Sequence, residues 1–365
     1  MMLILLLWMS NTDAVHISET GIYQVMRTNE VFVRPNGEVF LLNFDDAKVQ
    51  HYAADGRLKA EIGRKGRGPG EFTFPTYIGM DETRLYVYDR LSDMVNVFAL
   101  DGTFEKQIKV PQQGMEIQRT ARGWFSFARS FKHIEGTPAT LNWSTDGFDQ
   151  PKEAGQISTT GWGQGMWSSY DGKTMRATFS PMSVMPHLRV SPDGKRLYVA
   201  DARDYKIDIY DGTDGHLVQT LKVDADRLPF DTEWADERAD EETKDMRAKY
   251  PGAQINKLYP EYFPAVRDLM FDTRGFLVVD RWRGRPDDNH LLATFDHDGK
   301  EVPTTDSFAL LRRLCGVVDG HAFLLVFEAE GEAGLARVPV AEAEAYVQAH
   351  PVTDWSQARN ISISR

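Results

Sequence analysis

Three turns of this 365-residue sequence carry side chains that could bind a charged group. Each turn opens with an aspartate that ends a short apolar segment, and an arginine follows within two residues. The pairs are Asp89 with Arg90, Asp201 with Arg203, and Asp280 with Arg281. Guanidinium groups pair with carboxylates and phosphates, whereas carboxylates are hard oxygen donors for divalent cations. The turns therefore offer two kinds of chemistry, which are anion binding by arginine and metal binding by aspartate.

The three turns occupy the same place in a repeated unit. In each copy a proline precedes an apolar strand, a polar tight turn follows, and a second strand ends in the aspartate. The copies open at Phe74-Pro75, Met185-Pro186 and Phe263-Pro264. Such self-similarity is typical of the blades of a β-propeller. We predict an all-β fold, a six-bladed β-propeller that forms a single domain over residues 15–365.

Ring closure is the weakest part of this pattern, because the sixth blade (314–340) shows only three strands. A closed ring leaves no exposed strand edge, so we expect a chain end to supply a strand. Residues 15–25 or the tail 360–364 could do so, and five or seven blades stay open as alternatives.

The longer loops of such a propeller all emerge on one face. In a four-stranded blade, the turn between strands two and three and the connection to the next blade lie at the same end. Here these loops are rich in Arg, Asp and aromatic residues, whereas the opposite end has tight Asn-Gly and Asp-Gly turns. The candidate ligand-binding residues are Arg64, Arg67, Glu71, Arg90, Arg203, Arg267, Arg281 and Trp282.

Two connections on this face are longer than a propeller needs. The first spans about residues 158–183 and contains Trp162, Trp167 and Tyr170, which could stack on a ligand together with Trp282. The second spans about residues 225–262 and has a charged stretch of helical composition at 228–250. This helical insertion between blades four and five is either a solvated helix or a lid. A third interpretation makes it a docking surface of an assembly scaffold, and then its deletion would leave stability nearly intact.

The segment EIGRKGRGPGEFTFP (61–75) resembles the linker of NHL-repeat propellers, and more closely the GxGPGEF form of bacterial six-bladed β-propeller proteins. The resemblance continues through LYVYDRLSDMVNVFALDGTF and covers most of the chain. It implies a closed propeller, often exported, with binding or interaction roles. Residues Ser191–Asp211 are also similar to the gluconolactonase family, which implies a divalent metal held by Asp201. Pro186-His187 replaces the Asn-Gly step of that family, and proline cannot ligate.

Other chemistry finds little support in the sequence. No His-x-x-x-His or His-Glu-x-x-His pair and no Gly-x-Ser-x-Gly elbow is present, and Cys315 lies in an apolar strand. Histidines from separate blades, including His51, His187, His290 and His321, could hold zinc, but their spacing does not indicate it. The glycine-rich linker runs into Phe72 and Pro75 rather than a helix, which disfavours a phosphate cradle.

Composition and charge limit the partners. The formal net charge of −12 repels the nucleic-acid backbone, so we expect no nucleic-acid partner. The apolar run Met1–Met9 is too short to span a bilayer and resembles the core of a signal peptide, with small residues Thr12 and Ala14 near a cleavage position. We expect residues 1–14 to be a signal or apolar segment, no membrane span, and an exported, periplasmic or extracellular protein.

We therefore predict a non-catalytic propeller that binds a small ligand, a peptide or a protein partner on its Arg- and Asp-rich face, without a cofactor. The alternative is a metal-dependent hydrolase or lyase of the propeller type, centred on Asp201 and requiring a divalent metal.

Overall fold

The chain folds as a six-bladed β-propeller with a helical insertion between blades four and five, as predicted. The computed structural model describes residues 29–44, 46–111, 115–128, 138–145, 147–157, 165–170, 173–181, 186–200, 205–222, 226–285, 290–327, 333–352 and 361–363. Alternating apolar positions and β-branched residues produce the strands. Tight turns with glycine at positive φ, such as Gly37 (+79°) and Gly102 (+92°), connect strands at the end of the propeller opposite to the long loops. We call this end the plain end.

Blades one to three each contain four consecutive antiparallel strands. Blade one comprises β1 (Asn29–Val33), β2 (Val39–Asn43), β3 (Lys48–Tyr52) and β4 (Leu58–Ile62). Blade two comprises β5 (Pro75–Met80), β6 (Arg84–Asp89), β7 (Met94–Ala99) and β8 (Phe104–Lys109). Blade three comprises β9 (Met115–Arg119), β10 (Trp124–Ala128), β11 (Ala139–Ser144) and β12 (Lys152–Ile157).

Blades four and five repeat this plan, and each is preceded by one of the two insertions. The first insertion contains β13 (Gly165–Tyr170) and β14 (Met175–Ser180), followed by blade four, β15 (His187–Val190), β16 (Arg196–Ala200), β17 (Lys206–Asp211) and β18 (Leu217–Lys222). The second contains α1 (Thr232–Glu242), α2 (Lys244–Lys249) and β19 (Gln254–Lys257), followed by blade five, β20 (Val266–Phe271), β21 (Leu277–Arg281), β22 (Leu291–Phe295) and β23 (Glu301–Val302).

Blade six has three strands, and a helix follows where the other blades have a fourth strand. Its elements are α3 (Phe308–Arg313), β24 (Leu314–Val318), β25 (His321–Phe327), β26 (Ala333–Pro339) and α4 (Val340–Ala349). Helix α4 starts directly at the end of β26 and packs against β25, β26 and α3 through Ala343, Tyr346 and Val347. A ten-residue helix spans about 15 Å, close to the length of a five-residue strand. The helix thus covers blade six with apolar side chains.

The first strands of the blades form the inner ring. In the ring β1 contacts β5, β5 contacts β9, β9 contacts β15, β15 contacts β20, and β24 contacts β1. The apolar core lies between neighbouring blades, as in the cluster of Phe40, Phe72, Ile78 and Leu85 from blades one and two. The ring is therefore closed by packing of blade six against blade one.

The described tail residues 361–363 do not supply a fourth strand to blade six, in contrast to one of our two expectations. The tail strand β27 (Ile361–Ile363) instead pairs in parallel with β1, on the side of β1 opposite to β2. A parallel register matches Asn29 with Ile361 and Val31 with Ile363. The other candidate, residues 15–25, lies outside the described residues.

The two insertions are joined to each other, which the sequence did not indicate. Strand β19 of the second insertion pairs in parallel with β14 of the first and forms a three-stranded sheet in the order β13-β14-β19. Helix α1 is capped by Asp231, whose side chain accepts a 2.9 Å hydrogen bond from the Trp234 amide. Ala235 and Ala239 on this helix are fully buried. Helix α1 thus packs one narrow face on the protein, while most residues of α1 and α2 are exposed to solvent.

Candidate functional site

The glycine-rich linker between blades one and two is shaped by its own side chains. Phe72 is fully buried, and a Cβ on Gly63 (φ +78°) would lie 2.1 Å from its ring. Glu71 accepts 2.8 Å hydrogen bonds from the Arg64 side chain and from the Gly68 amide, and these bonds, that of Gly68 first, lower its pKa. Arg64 and Arg67 are exposed. Glu71 therefore makes its hydrogen bonds within the linker, while the side chains of Arg64 and Arg67 are exposed to solvent.

Among the described residues, the hydrogen-bond partners of the strand-end aspartate of blade two are backbone amides. One carboxylate oxygen of Asp89 accepts hydrogen bonds from the amides of Thr73 and Phe74, and the other accepts from the amides of Leu91 and Ser92. Its side chain is buried. Four amide donors satisfy the carboxylate, so Asp89 fixes the end of β6 to the linker and to the next turn.

The strand-end aspartate of blade five has side-chain partners instead. Oδ2 of Asp280 lies 2.7 Å from Nδ1 of His290 and 3.9 Å from Nε of Arg267. Its Oδ1 is buried and has no hydrogen-bond partner in the described part of the chain. The Asp280 side chain is 2% exposed, whereas those of Arg267 and His290 are 24% and 21% exposed. A buried carboxyl thus lies behind two side chains that reach the surface.

Aromatic rings hold the two partners of Asp280 in place. The Arg267 guanidinium carbon lies 4.7 Å from the centre of the Trp282 ring, and the other side of the cluster continues with Phe263 stacked on Trp282 at 6.3 Å. The His290 ring stacks on Phe308, with ring centres 3.3 Å apart. A second guanidinium, that of Arg312 from α3, lies 5.6 Å from the Phe308 ring centre. We call Arg267, Asp280, Trp282, His290, Phe308 and Arg312 the blade-five site.

Burial and charge shift the pKa values of the acid and the imidazole in opposite directions. Burial raises the pKa of Asp280, Arg267 opposes this rise and Asp268 adds to it, and the resulting pKa is about 7. Burial and, after it, the positive charges of Arg267 and Arg312 together lower the pKa of His290 to about 4. The imidazole is therefore neutral near pH 7, where Asp280 exchanges its proton.

A second polar group borders the blade-five site at the seam with blade four. Asp268 accepts a 3.1 Å hydrogen bond from Arg189, and Nδ1 of His187 lies 3.9 Å from the same oxygen. Arg189 also donates to the backbone oxygen of Leu269. Strands β15 and β20 both belong to the inner ring. The seam that these side chains join therefore lies beside the central channel.

The remaining predicted residues do not join this group. Arg90 belongs to blade two, where its amide donates to Phe74, and no contact among the described residues links Arg64, Arg67 or Arg90 to blade five. Arg281 is half-buried, with its Nε buried and without a hydrogen-bond partner in the described ranges. Asp201 and Arg203 lie outside the described residues. The structure thus brings together Arg267 and Trp282 from the predicted set.

The predicted stacking group of aromatic residues stays a prediction, and two of its members have other ring contacts. The Tyr170 ring lies 5.5 Å from that of Tyr250 in the second insertion, and Trp282 lies with Phe263. The side chains of Trp162 and Trp167 lie outside the described residues. Trp282 therefore connects the second insertion to blade five.

Comparison with known proteins gives the family of this chain. The sequence profile of the DUF5128 family, described as a 6-bladed beta-propeller, matches residues 32–247, more than half of the chain. The chain belongs to the DUF5128 family. This match confirms the predicted resemblance to six-bladed propellers. No curated protein sequence matches the chain.

Solved structures resemble this DUF5128 propeller in fold only. A DUF4221 member from Bacteroides vulgatus is 9% identical, with 89% of this chain and 95% of that chain covered and a TM-score of 0.51. A candidate exported protein of Bacteroides fragilis is 12% identical, with 87% and 92% covered and a TM-score of 0.48. Regucalcin of Agrobacterium tumefaciens, a calcium-binding protein, is 10% identical, with 86% and 92% covered and a TM-score of 0.40.

The blade-five site lies beyond the residues of this DUF5128 chain that match the family profile, which end at 247. Sequence reasoning named Arg267 and Trp282 as ligand-binding residues but did not propose Phe308 or Arg312, and it found no support for His290. The sequence did contain one signal that distinguishes blade five from blade two. The aspartate follows the proline of its unit by 14 residues in blade two and by 16 in blade five, and that difference changes which residue stands opposite the aspartate.

One group of potential metal ligands occurs among the described residues of this DUF5128 chain. Asp211, Asp214 and His216 have ligand atoms within 4.8 Å of one another, in the turn between β17 and β18 at the plain end. Their carboxylates already accept the amides of Thr213 and His216, as aspartates in turns do. The group therefore has a structural explanation. None of the helices in the described ranges is long and apolar enough to cross a membrane.

Proposed function

We propose that this DUF5128 propeller binds a small anionic ligand, without catalysis, at the blade-five site. The observation that carries the proposal is the Arg267 guanidinium, which lies against Trp282 at 4.7 Å, reaches the surface, and has a buried carboxyl 3.9 Å behind it. A guanidinium that is already positioned loses little conformational freedom when it pairs with a carboxylate, sulfonate or phosphate.

The packing around Trp282 supports this assignment. Phe230 and Trp234 from the second insertion and Phe263, which opens blade five, form one apolar cluster with Trp282. Because Trp282 is enclosed on this side, the ring has a fixed position and so does the guanidinium that it carries. A ligand with an aromatic or apolar body next to its anionic group fits this combination of an arginine and a partly exposed tryptophan.

Local charge also favours an anion. The chain as a whole carries a formal charge of −12, yet Arg281 ends β21 and Arg283 lies exposed in the turn that follows. Arg312 from α3 adds a further positive charge near the site, since it lowers the pKa of His290. A basic patch on an acidic protein guides anions to one place on the surface. An acidic peptide or the acidic segment of a protein partner would use the same chemistry as a small anion.

Isothermal titration calorimetry with benzenesulfonate tests the proposal, because this probe remains a single anion across the useful pH range. We expect Arg267→Ala to weaken the Kd at least about tenfold, which corresponds to about 1.4 kcal/mol. Arg57→Ala is the matched control, since Arg57 is an exposed arginine that pairs with Asp55 at the plain end. An unchanged Kd in Arg267→Ala would rule out the proposed function.

The alternative function, a metal-dependent hydrolase or lyase centred on Asp201, makes a different prediction. Elemental analysis of the purified protein would then find a stoichiometric divalent ion, and Asp201→Ala would remove it. We also propose that the chain is exported, because the Met1–Met9 run resembles a signal peptide core. Mass spectrometry of the mature N-terminus in its native host would detect cleavage near Ala14.

A further inference from the structure

We infer that the blade-five site takes up one proton together with its anionic ligand, and that the Asp280–His290 pair holds this proton. The inference rests on the proposed function, since it concerns how the same site is regulated. It links ligand binding to the acidity of the surrounding solution.

Asp280 and the anionic ligand compete for the Arg267 guanidinium. Its Oδ2 is 3.9 Å from Arg267, so an ionised Asp280 acts as the counter-ion of the guanidinium that the ligand would use. An ionised carboxylate at this distance also repels a second anion, and a buried position strengthens the repulsion because little water screens it. A protonated Asp280 neither neutralises Arg267 nor repels the bound anion. Ligand binding therefore favours the protonated carboxyl.

Within the described ranges, several neighbouring elements bring charged or titratable groups to Asp280. Strand β20 presents Arg267 and also Asp268, which stands directly opposite Asp280 in the ladder. Helix α3 presents Arg312, the segment before β22 presents His290, and the neighbouring residue on β21 is Arg281. Asp268 in turn accepts a hydrogen bond from Arg189 of blade four and lies near His187 of the same blade.

The balance of these charges leaves the carboxyl ready to change state near neutral pH. Burial raises the pKa of Asp280, Arg267 lowers it, Asp268 raises it and Arg312 lowers it, and the result is about 7. A bound anion would add one more negative charge and raise this pKa further. By reciprocity, each proton that binds to Asp280 tightens ligand binding by the same factor.

His290 provides a place for the proton without adding a charge of its own. Since its pKa is lowered to about 4, the imidazole is neutral when Asp280 is protonated, and the carboxyl O–H can donate to Nδ1 across the 2.7 Å contact. Phe308 stacked on the ring holds the imidazole in this orientation. Asp89, with four amide donors on its carboxylate, has no such acceptor for a proton among its hydrogen-bond partners.

Calorimetry with benzenesulfonate from about pH 5.5 to about pH 8.5, in buffers of different ionisation enthalpy, tests the inference. We expect a constant Kd at the acidic end, a weakening that approaches about tenfold per pH unit at the basic end, and proton uptake that approaches one per ligand. Asp280→Asn should bind at every pH within about threefold of the acidic wild-type Kd. Asp101→Asn, in a turn at the plain end, should keep the wild-type pH profile.

The outcomes separate the two proposals. Binding that needs Arg267 but does not change with pH would overturn the inference and leave the anion site standing. No benzenesulfonate binding at any pH would overturn both. If Asp280→Asn fails to fold, carbon-13 NMR of the wild-type carboxyls replaces it. In that experiment the pKa of Asp280 should rise when benzenesulfonate saturates the site, and an unchanged pKa would contradict the inference.

Discussion

Blades two and five place an aspartate at the same point of the same repeat and give it opposite surroundings. Asp89 accepts four backbone amides, and it ties β6 to the linker and to the next turn. Asp280 has a histidine and an arginine as partners and one oxygen without a hydrogen bond in the described part of the chain. The repeat therefore fixes where the carboxyl lies, while its neighbours decide whether it is structural or able to titrate.

The physical origin of the difference is the register of the first strand. Both ladders are irregular beside the aspartate, but Pro75 stands opposite Asp89, whereas Asp268 stands opposite Asp280. Two like charges across a ladder disfavour ionisation. Because Arg267 lies at the irregularity between Val266 and Asp268, the same shift also brings a guanidinium to the carboxyl. Two extra residues between proline and aspartate accompany the change from a strand-end anchor to a candidate binding site.

The largest effect should separate the two aspartates by stability. Asp89→Ala leaves four amides without their acceptor in a buried position, and we expect the free energy of unfolding to fall by about 3 kcal/mol or more. Asp280→Ala removes a carboxyl with a single close hydrogen bond, and we expect a loss of about 1 kcal/mol or less at pH 8, where the buried acid is ionised. Urea unfolding measures both. Equal losses would show that the two positions do not differ.

The pH dependence of stability should sharpen the comparison next. The raised pKa of Asp280 makes the folded state hold a proton that the unfolded chain releases, so this group alone makes stability fall as pH rises from about 4 to about 7. The lowered pKa of His290 has the reverse effect from about pH 4 to its ordinary value near 6.5. The two effects oppose each other in the wild-type protein.

Single variants should therefore reveal opposite slopes between about pH 4 and about pH 6.5. We expect Asp280→Asn to gain stability with rising pH relative to wild type, since only the histidine effect remains. His290→Gln should lose stability with rising pH, at a slope approaching about 1.4 kcal/mol per pH unit. Chemical unfolding at several pH values measures the slopes. Slopes of the same sign in both variants would contradict the opposed pKa shifts.

A smaller effect should come from the ring beneath Arg267. Trp282→Leu keeps an apolar side chain against Phe263 but removes the aromatic face below the guanidinium. We expect the Kd for benzenesulfonate to weaken about threefold to tenfold, because a cation–π contact contributes about 0.5–2 kcal/mol to holding the cation. Trp124→Leu is unsuitable as a control because Trp124 is a fully buried core residue. Tyr170→Leu, at an exposed tyrosine of the first insertion, should leave the Kd unchanged.

The smallest effect should come from the exposed link between the second insertion and blade five. Arg285 donates to Asp231 at 2.8 Å, and both side chains are partly exposed. We expect Arg285→Ala to cost about 0.5 kcal/mol or less, as exposed ion pairs do. Asp231→Ala also removes the N-cap of α1 and should cost about 1 kcal/mol. Thermal unfolding of the two variants measures the difference, and a larger loss in Arg285→Ala would contradict this assignment.

The repeat carries enough information to predict the blades and the face on which the long loops lie. Alternating apolar residues, the strand-end aspartates and the Asp-Gly turns are local signals, and each is present in the sequence. The blade-five site depends instead on residues that are distant along the chain, such as Phe308 from α3 and Phe230 from the second insertion, which packs in the cluster of Trp282. Their meeting follows from packing between blades, for which a single sequence has no periodic signal.

The substitution of α4 for a strand could not be predicted for a related reason. Val340–Ala349 has small and apolar residues that suit a helix, but only the closed ring leaves a vacant outer position for it to cover. The site residues at 201 and 203 stay predictions, since they lie outside the described residues.

Because β14 pairs with β19, each insertion depends on the other for part of its backbone hydrogen bonding. A lineage that shortened the second insertion would remove the hydrogen-bonding partner of the first and uncover Phe263 beside Trp282. Gain or loss of these segments is therefore expected to be concerted among related propellers. For protein engineering, they would have to be transferred together, although blade four separates the first insertion from the second in the chain.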